Sequence, residues 1–237
     1  MSQSLEQRLD SAPWSLATQS LNAEGWARLP ALLSPAECTE LVSQYARPEL
    51  FRSKVVMARH GYGRGEYQYF CYPLPPLVDA LRSGLYPRLV PLANQWHETM
   101  QLPARFPEDH ATFVERCHAG GQARPTPLLL RYDAGDYNCL HQDLYGQHVF
   151  PLQVAILLSV PGTDFDGGEL VLTEQRPRQQ SRPMVVQPQQ GDAVVFAVRH
   201  RPVPSKRGFA RVQLRHGVSR LLRGRRYTLG IIFHDAA

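Results

Sequence analysis

The chain has 237 residues, 43% of them hydrophobic and 20% charged, with a formal net charge of +5. That balance excludes a disordered or fibrous chain and is enough to bury a sizeable core. No apolar run reaches the ~20 residues of a membrane-spanning helix, and the opening MSQSLEQRLDSAPW lacks the apolar stretch of a secretory signal.

Four cysteines (Cys38, Cys71, Cys117, Cys139) are widely spaced and read as reduced thiols, which points to the cytoplasm. In chain order, the first half is mixed. Ser34-Pro35-Ala36-Glu37 combines a Ser N-cap, an early Pro and a Glu three residues on, and predicts a helix running to about Tyr45. SKVVMARHGYGRGEYQYF predicts a strand, a Gly-rich loop and a second strand. Pro76 to Met100 carries apolar residues at helical spacing, with a break or kink expected at Pro87 and Pro91. Pro107-Glu108-Asp109 opens a short helix that Gly120-Gly121 ends.

After Arg124-Pro125-Thr126-Pro127 the pattern changes. PLLLRYD, QVAILLSV, GGELVLTE, MVVQP, DAVVFAV, RVQLRHGV and RRYTLGIIFH are short apolar or alternating runs separated by turn residues. They predict a sandwich or jelly roll. The expected class is mainly β with flanking helices (α+β). The expected organisation is one domain over 1–237, with a mixed support and lid region at 1–125 and a β core at 126–237.

His141-Gln142-Asp143 places an imidazole and a carboxylate two residues apart, on one face if the segment is a strand. His216 ends the alternating run Arg211-Val212-Gln213-Leu214-Arg215 and is the candidate third ligand. Two His and one carboxylate leave metal positions open, the arrangement of non-heme Fe(II) sites that react with O₂. H-x-D also arises by chance, and the plain alternative is a surface His141 and a core His216. Arg226 stands in an otherwise apolar strand, where an unpaired charge is costly. Its guanidinium suits the distal carboxylate of a 2-oxo acid. Gly224 is expected to turn the hairpin that sets Arg226 beside His216.

The stretch Leu128-Leu-Leu-Arg-Tyr132-Asp-Ala-Gly135 leading to His141-Gln-Asp143 is followed by Asp166-Gly-Gly-Glu-Leu170. Gly191-Asp192-Ala-Val-Val-Phe196 and His216…Gly224-x-Arg226-Tyr come next. In this order they resemble an Fe(II)- and 2-oxoglutarate-dependent dioxygenase over roughly residues 126–234. Within that superfamily Arg-Tyr-x-x-Gly before His-Gln-Asp is similar to the AlkB-type nucleic-acid dealkylases and to a bacterial family of nucleic-acid oxygenases. The resemblance implies a double-stranded β-helix and Fe(II) held by His141, Asp143 and His216. It also implies 2-oxoglutarate held by Arg226 and Tyr132, and O₂ as oxidant. The implied reaction couples decarboxylation of 2-oxoglutarate to hydroxylation of a C–H bond; from an N-methyl group it would release formaldehyde. Two positions depart from the AlkB-type pattern: Leu130 replaces an asparagine, and Ile232 a second arginine.

The basic tract from Arg199 to Arg226, including Arg201, Lys206, Arg207, Arg211 and Arg215, holds ten Lys/Arg and no Asp or Glu. It is either a solvated face or a track for phosphates. Tyr62, Arg64 and Tyr67 in the Gly-rich loop form either a base-handling lid or a plain covering hairpin, and Tyr137 and Asn138 are expected at the pocket mouth. Alkylated DNA or RNA is the leading substrate expectation. Hydroxylation of a protein side chain or small metabolite, and a non-catalytic nucleic-acid-binding jelly roll, are the alternatives.

Overall fold

In a computed structural model, described over residues 3–103, 105–206 and 208–237, five helices precede most of the sheet structure. They are α1 (Leu5–Ser11), α2 (Trp14–Glu24), α3 (Pro35–Gln44), α4 (Pro76–Thr99) and α5 (His110–Ala119). Ser34 caps α3 in a reciprocal box with Glu37, and Asp109 caps α5 through the Thr112 N–H.

The early strands are β1 (Trp26–Leu29), β2 (Phe51–Val56), β3 (Gly63–Arg64) and β4 (Glu66–Phe70). Then come β5 (Leu128–Asp133), β6 (Tyr137–His141), β7 (Leu152–Leu157), β8 (Phe165–Gly167) and β9 (Leu170–Gln175). β10 (Arg182–Val186), β11 (Ala193–Ala197), β12 (His200–Ser205), β13 (Gly208–Val218) and β14 (Leu221–Ile231) complete them.

Two antiparallel sheets result. The larger runs β1-β11-β7-β14-β5-β4-β2 with β8 on β14; the smaller runs β10-β9-β13-β6-β3 with β12 on β13. Period-2 alternation on β14 divides its residues between two environments. Leu229 and Ile231 join the main core with Leu41, Leu85, Trp96, Val154 and Ile156, while Arg226 and Thr228 face the cavity between the sheets. The helices supply much of that core, so the mixed first half and the β-rich second half share it.

Three expectations are corrected. α4 runs unbroken through Pro87 and Pro91. Each proline removes one backbone donor, yet Leu81, Leu85, Tyr86, Leu89, Ala93 and Trp96 are all buried along the same helix, and that packing outweighs the local cost. Gly224 does not turn a hairpin. The chain runs on from β13 through Ser219-Arg220 into β14, still antiparallel to the β8–β9 stretch, and Gly224 lies inside β14 with φ +77°, where a Cβ would collide with the Asp164 carbonyl oxygen. Arg226 is therefore not on a strand beside His216: β14 pairs with β5, β7 and β8, and faces β13 across the cavity. Finally, β6 ends at His141, so Asp143 lies in the loop beyond it rather than on the strand.

Candidate metal and cosubstrate site

His141 and His216 are register partners on β6 and β13, which puts their rings 4.1 Å apart. Asp143 completes the group: its Oδ1 is 3.6 Å from His141 Nε2 and its Oδ2 is 3.3 Å from His216 Nε2. One ligand atom from each residue lies within 4.8 Å of the others, a spacing that one metal ion can bridge. His141 Nδ1 faces the Cys139 carbonyl at 2.8 Å. A hydrogen on Nδ1 leaves the Nε2 lone pair for a metal.

The electrostatics agree with that use. Burial alone would raise the Asp143 carboxyl, but hydrogen bonding and charge from His216, with His141 and Tyr145, hold it well below the usual carboxylate range. Burial and the neighbouring His216 lower His141, which favours the neutral, ligating imidazole. These donors suit a borderline divalent ion such as Fe(II).

Arg226 supplies the opposite charge on the far wall. It is buried and donates to the Thr228 hydroxyl at 2.7 Å, and among the described residues no carboxylate forms an ion pair with it. Its guanidinium carbon lies 5.7 Å and 5.9 Å from the Tyr132 and Phe165 ring centres. Burial pulls Arg226 below its ordinary pKa, so the residue is held at a cost that an incoming carboxylate would relieve. Tyr132 is fully buried beside Arg226, and burial pushes its pKa up to about 12. A buried arginine with no ion-pair partner among the described residues, beside a buried phenol, fits the distal carboxylate of 2-oxoglutarate.

The triad and Arg226 open into one cavity of about 360 Å³, lined mainly by apolar surface including Leu128, Leu130, Phe196 and Ile232. Tyr62, Tyr67 and Asn138 line it as well, whereas Arg64 and Tyr137 do not. Those two are register partners on β3 and β6 whose side chains are exposed. Strand alternation was the missing consideration: Tyr137 and Asn138 are adjacent and point to opposite faces. His148 hydrogen-bonds Gln122 through its backbone, and His234 is buried, accepts from the Phe150 N–H and is not one of the three clustered residues.

The basic tract divides. Arg201 is buried, ion-paired to Glu174 and bonded to the Asn22 and Ala23 carbonyls, so it is structural. Arg223 and Arg225 pair with Asp166 and Asp133. Arg199, Lys206, Arg211, Arg215 and Arg220 remain exposed, and Arg207 lies outside the described residues.

Sequence reasoning missed Tyr145 and Gln153. Tyr145 donates to Asp143 Oδ1 at 2.6 Å, and Gln153 Nε2 lies 2.9 Å from Asp143 Oδ2. Neither position carries a motif; only the folded geometry brings β7 against the loop after β6.

A family model described as "Oxygenase, catalysing oxidative methylation of damaged DNA" matches residues 65–236. The Mycobacterium tuberculosis (strain ATCC 25618 / H37Rv) protein named "Uncharacterized protein Rv2227" is 48% identical over 168 residues, covering 71% of this chain and 72% of that protein. A Burkholderia pseudomallei oxidoreductase of the 2OG-Fe(II) oxygenase family superposes with a TM-score of 0.55 at 18% identity, over 96% of this chain and 94% of its own. A Pseudomonas putida prolyl-4-hydroxylase gives 0.53 at 16% identity, over 92% and 96%. The chain thus belongs to the Oxygenase-NA family of oxygenases, and it shares the jelly-roll fold of the 2OG-Fe(II) oxygenases.

Proposed function

We propose that this oxygenase acts on alkylated DNA or RNA. In this reading His141, Asp143 and His216 hold Fe(II), and Arg226, helped by Thr228 and Tyr132, receives the distal carboxylate of 2-oxoglutarate. The observation that carries the site assignment is the pairing, in one cavity, of a convergent two-histidine, one-carboxylate cluster with a buried arginine that has no ion-pair partner among the described residues. The family description supports the nucleic-acid substrate.

When bound, Fe(II) and 2-oxoglutarate supply the oxidation, coupling loss of CO₂ and formation of succinate to hydroxylation of a C–H bond. The chain's own residues do the positioning. Asp143 stays ionised to neutralise a cation, and the His141 imidazole is held toward its neutral, ligating form. Arg226 fixes a dicarboxylate by its far end, and the apolar lining excludes bulk water. Tyr62 and Tyr67 offer ring faces on which a base taken out of its stack can rest. The exposed Arg199, Lys206, Arg211 and Arg215 supply charge for phosphates. Since Tyr62 and Tyr67 come from the first half of the chain, we treat 1–237 as one catalytic unit.

The test is turnover with Fe(II), 2-oxoglutarate and a single-stranded oligonucleotide carrying N-methylated bases. Succinate above the substrate-free level, with one formaldehyde per methyl lost, is expected. Stimulation by peptides alone, with no methylated nucleic acid active, would replace the nucleic-acid reading by protein hydroxylation.

A further inference from the structure

Asp143 lies beyond the end of β6, so no strand ladder fixes its carboxylate, yet it is buried and both its oxygens are engaged. Tyr145 Oη donates to Oδ1 at 2.6 Å, and Tyr69 Oη donates to Tyr145 Oη at 3.0 Å. The Arg52 guanidinium in turn sits 4.5 Å over the Tyr69 ring. On the other side Gln153 Nε2 lies 2.9 Å from Oδ2 and 3.2 Å from His216 Nε2. A carboxylate oxygen only accepts, so the amide nitrogen must face it, and the amide oxygen is left buried with no partner.

The three cluster residues are supported unequally. His141 has the Cys139 carbonyl behind its Nδ1, whereas His216 Nδ1 is buried with no partner. His216 is located by the Phe196 ring, whose centre is 4.7 Å away, and by Gln153 on its Nε2 side. One side chain from β7 thus grips one Asp143 oxygen, and a tyrosine two residues beyond Asp143 holds the other.

We propose that Tyr145 and Gln153 are positioning residues that hold Asp143 in the metal-binding arrangement. This rests on the metal reading given above. The brace matters because a loop carboxylate left free would have to be ordered as the ion binds, and partners behind metal ligands commonly change affinity by ten- to a hundredfold. The two residues share one carboxylate, so their effects are not additive.

The test uses the full-length, metal-free protein titrated with Mn(II) and read by electron paramagnetic resonance, followed by titration of 2-oxoglutarate at saturating Mn(II). Tyr145→Phe keeps the ring and removes only the hydroxyl; Gln153→Leu keeps the volume and removes the amide. Each is expected to weaken Mn(II) binding about tenfold or more, while 2-oxoglutarate affinity at saturating metal stays within twofold and circular dichroism is unchanged. Mn(II) affinity within twofold of the unsubstituted protein in both variants overturns the proposal. So does a loss of 2-oxoglutarate affinity with metal affinity intact, because the residues would then shape the cosubstrate site instead. If the unsubstituted protein takes up no Mn(II), the metal reading itself fails, an outcome distinct from failure of the brace.

Discussion

Arg82 and Arg226 are both buried arginines, and their surroundings could hardly differ more. Arg82, on α4, donates to the Ile232 and Phe233 carbonyls, to the Tyr72 hydroxyl and to Asp235 at 2.6 Å. Asp235 is itself fully buried and further bonded by Tyr72 and His118. Arg226 has one neutral hydrogen bond and no described counterion. The contrast separates two uses of the same residue. A saturated arginine belongs to the fold, and one left open belongs to a ligand.

Substitution is the direct way to break that comparison. Arg82→Met leaves the Asp235 carboxylate buried without its main partner, and the expected loss is about 3–5 kcal/mol of stability, read as the denaturation midpoint. Arg226→Met should leave stability unchanged or higher, since it removes an uncompensated buried charge. Its cost falls on 2-oxoglutarate binding, by about 2–5 kcal/mol in calorimetry with Mn(II)-loaded protein. Equal destabilisation by both substitutions would abolish the distinction.

The Arg82 region also carries a pH signature. Burial, with the Arg82 charge, lowers the His110 pKa from 6.5 to about 4, and burial does the same for His234. Between those values the unfolded chain takes up protons that the folded protein refuses. Stability is therefore complete above pH 6.5 and declines as pH falls toward 4. His110→Gln should flatten part of that decline, measured as thermal midpoint against pH; an unchanged slope would assign it elsewhere. The smallest effect is expected at the exposed Arg225–Asp133 pair, where Arg225→Ala should cost under about 1 kcal/mol, and less at high salt.

Much of this was legible in the sequence where the signal is local. The seven apolar runs became strands because alternation and turn residues act within a few positions, and the Ser34–Glu37 box opened α3 because capping is equally local. The His141, Asp143 and His216 spacing brought the three together, and the isolated charge of Arg226 marked a buried site. What escaped depends on the third dimension. β12, with Pro202 and Pro204, reads as loop and survives as a strand because it pairs only with β13, leaving an edge where missing donors cost nothing. Gly224 looks like a turn, and only the passing Asp164 carbonyl reveals why a side chain is excluded. Pro87 and Pro91 argue against a helix locally and are overruled by long-range packing.

β14 follows every other strand in the chain, yet in the larger sheet it lies between β7 and β5. On the ribosome, the β5-β4-β2 group and the β7-β11-β1 group are both made before the strand that joins them. Folding must therefore wait for a late, central insertion whose contacts span most of the chain, which favours slow closure. The same insertion delivers Arg226 and Thr228. In the proposed assignment, a nascent chain that already carries His141, Asp143 and His216 has no Arg226 anchor until its larger sheet is whole, so capacity for oxidation would arrive together with the finished fold.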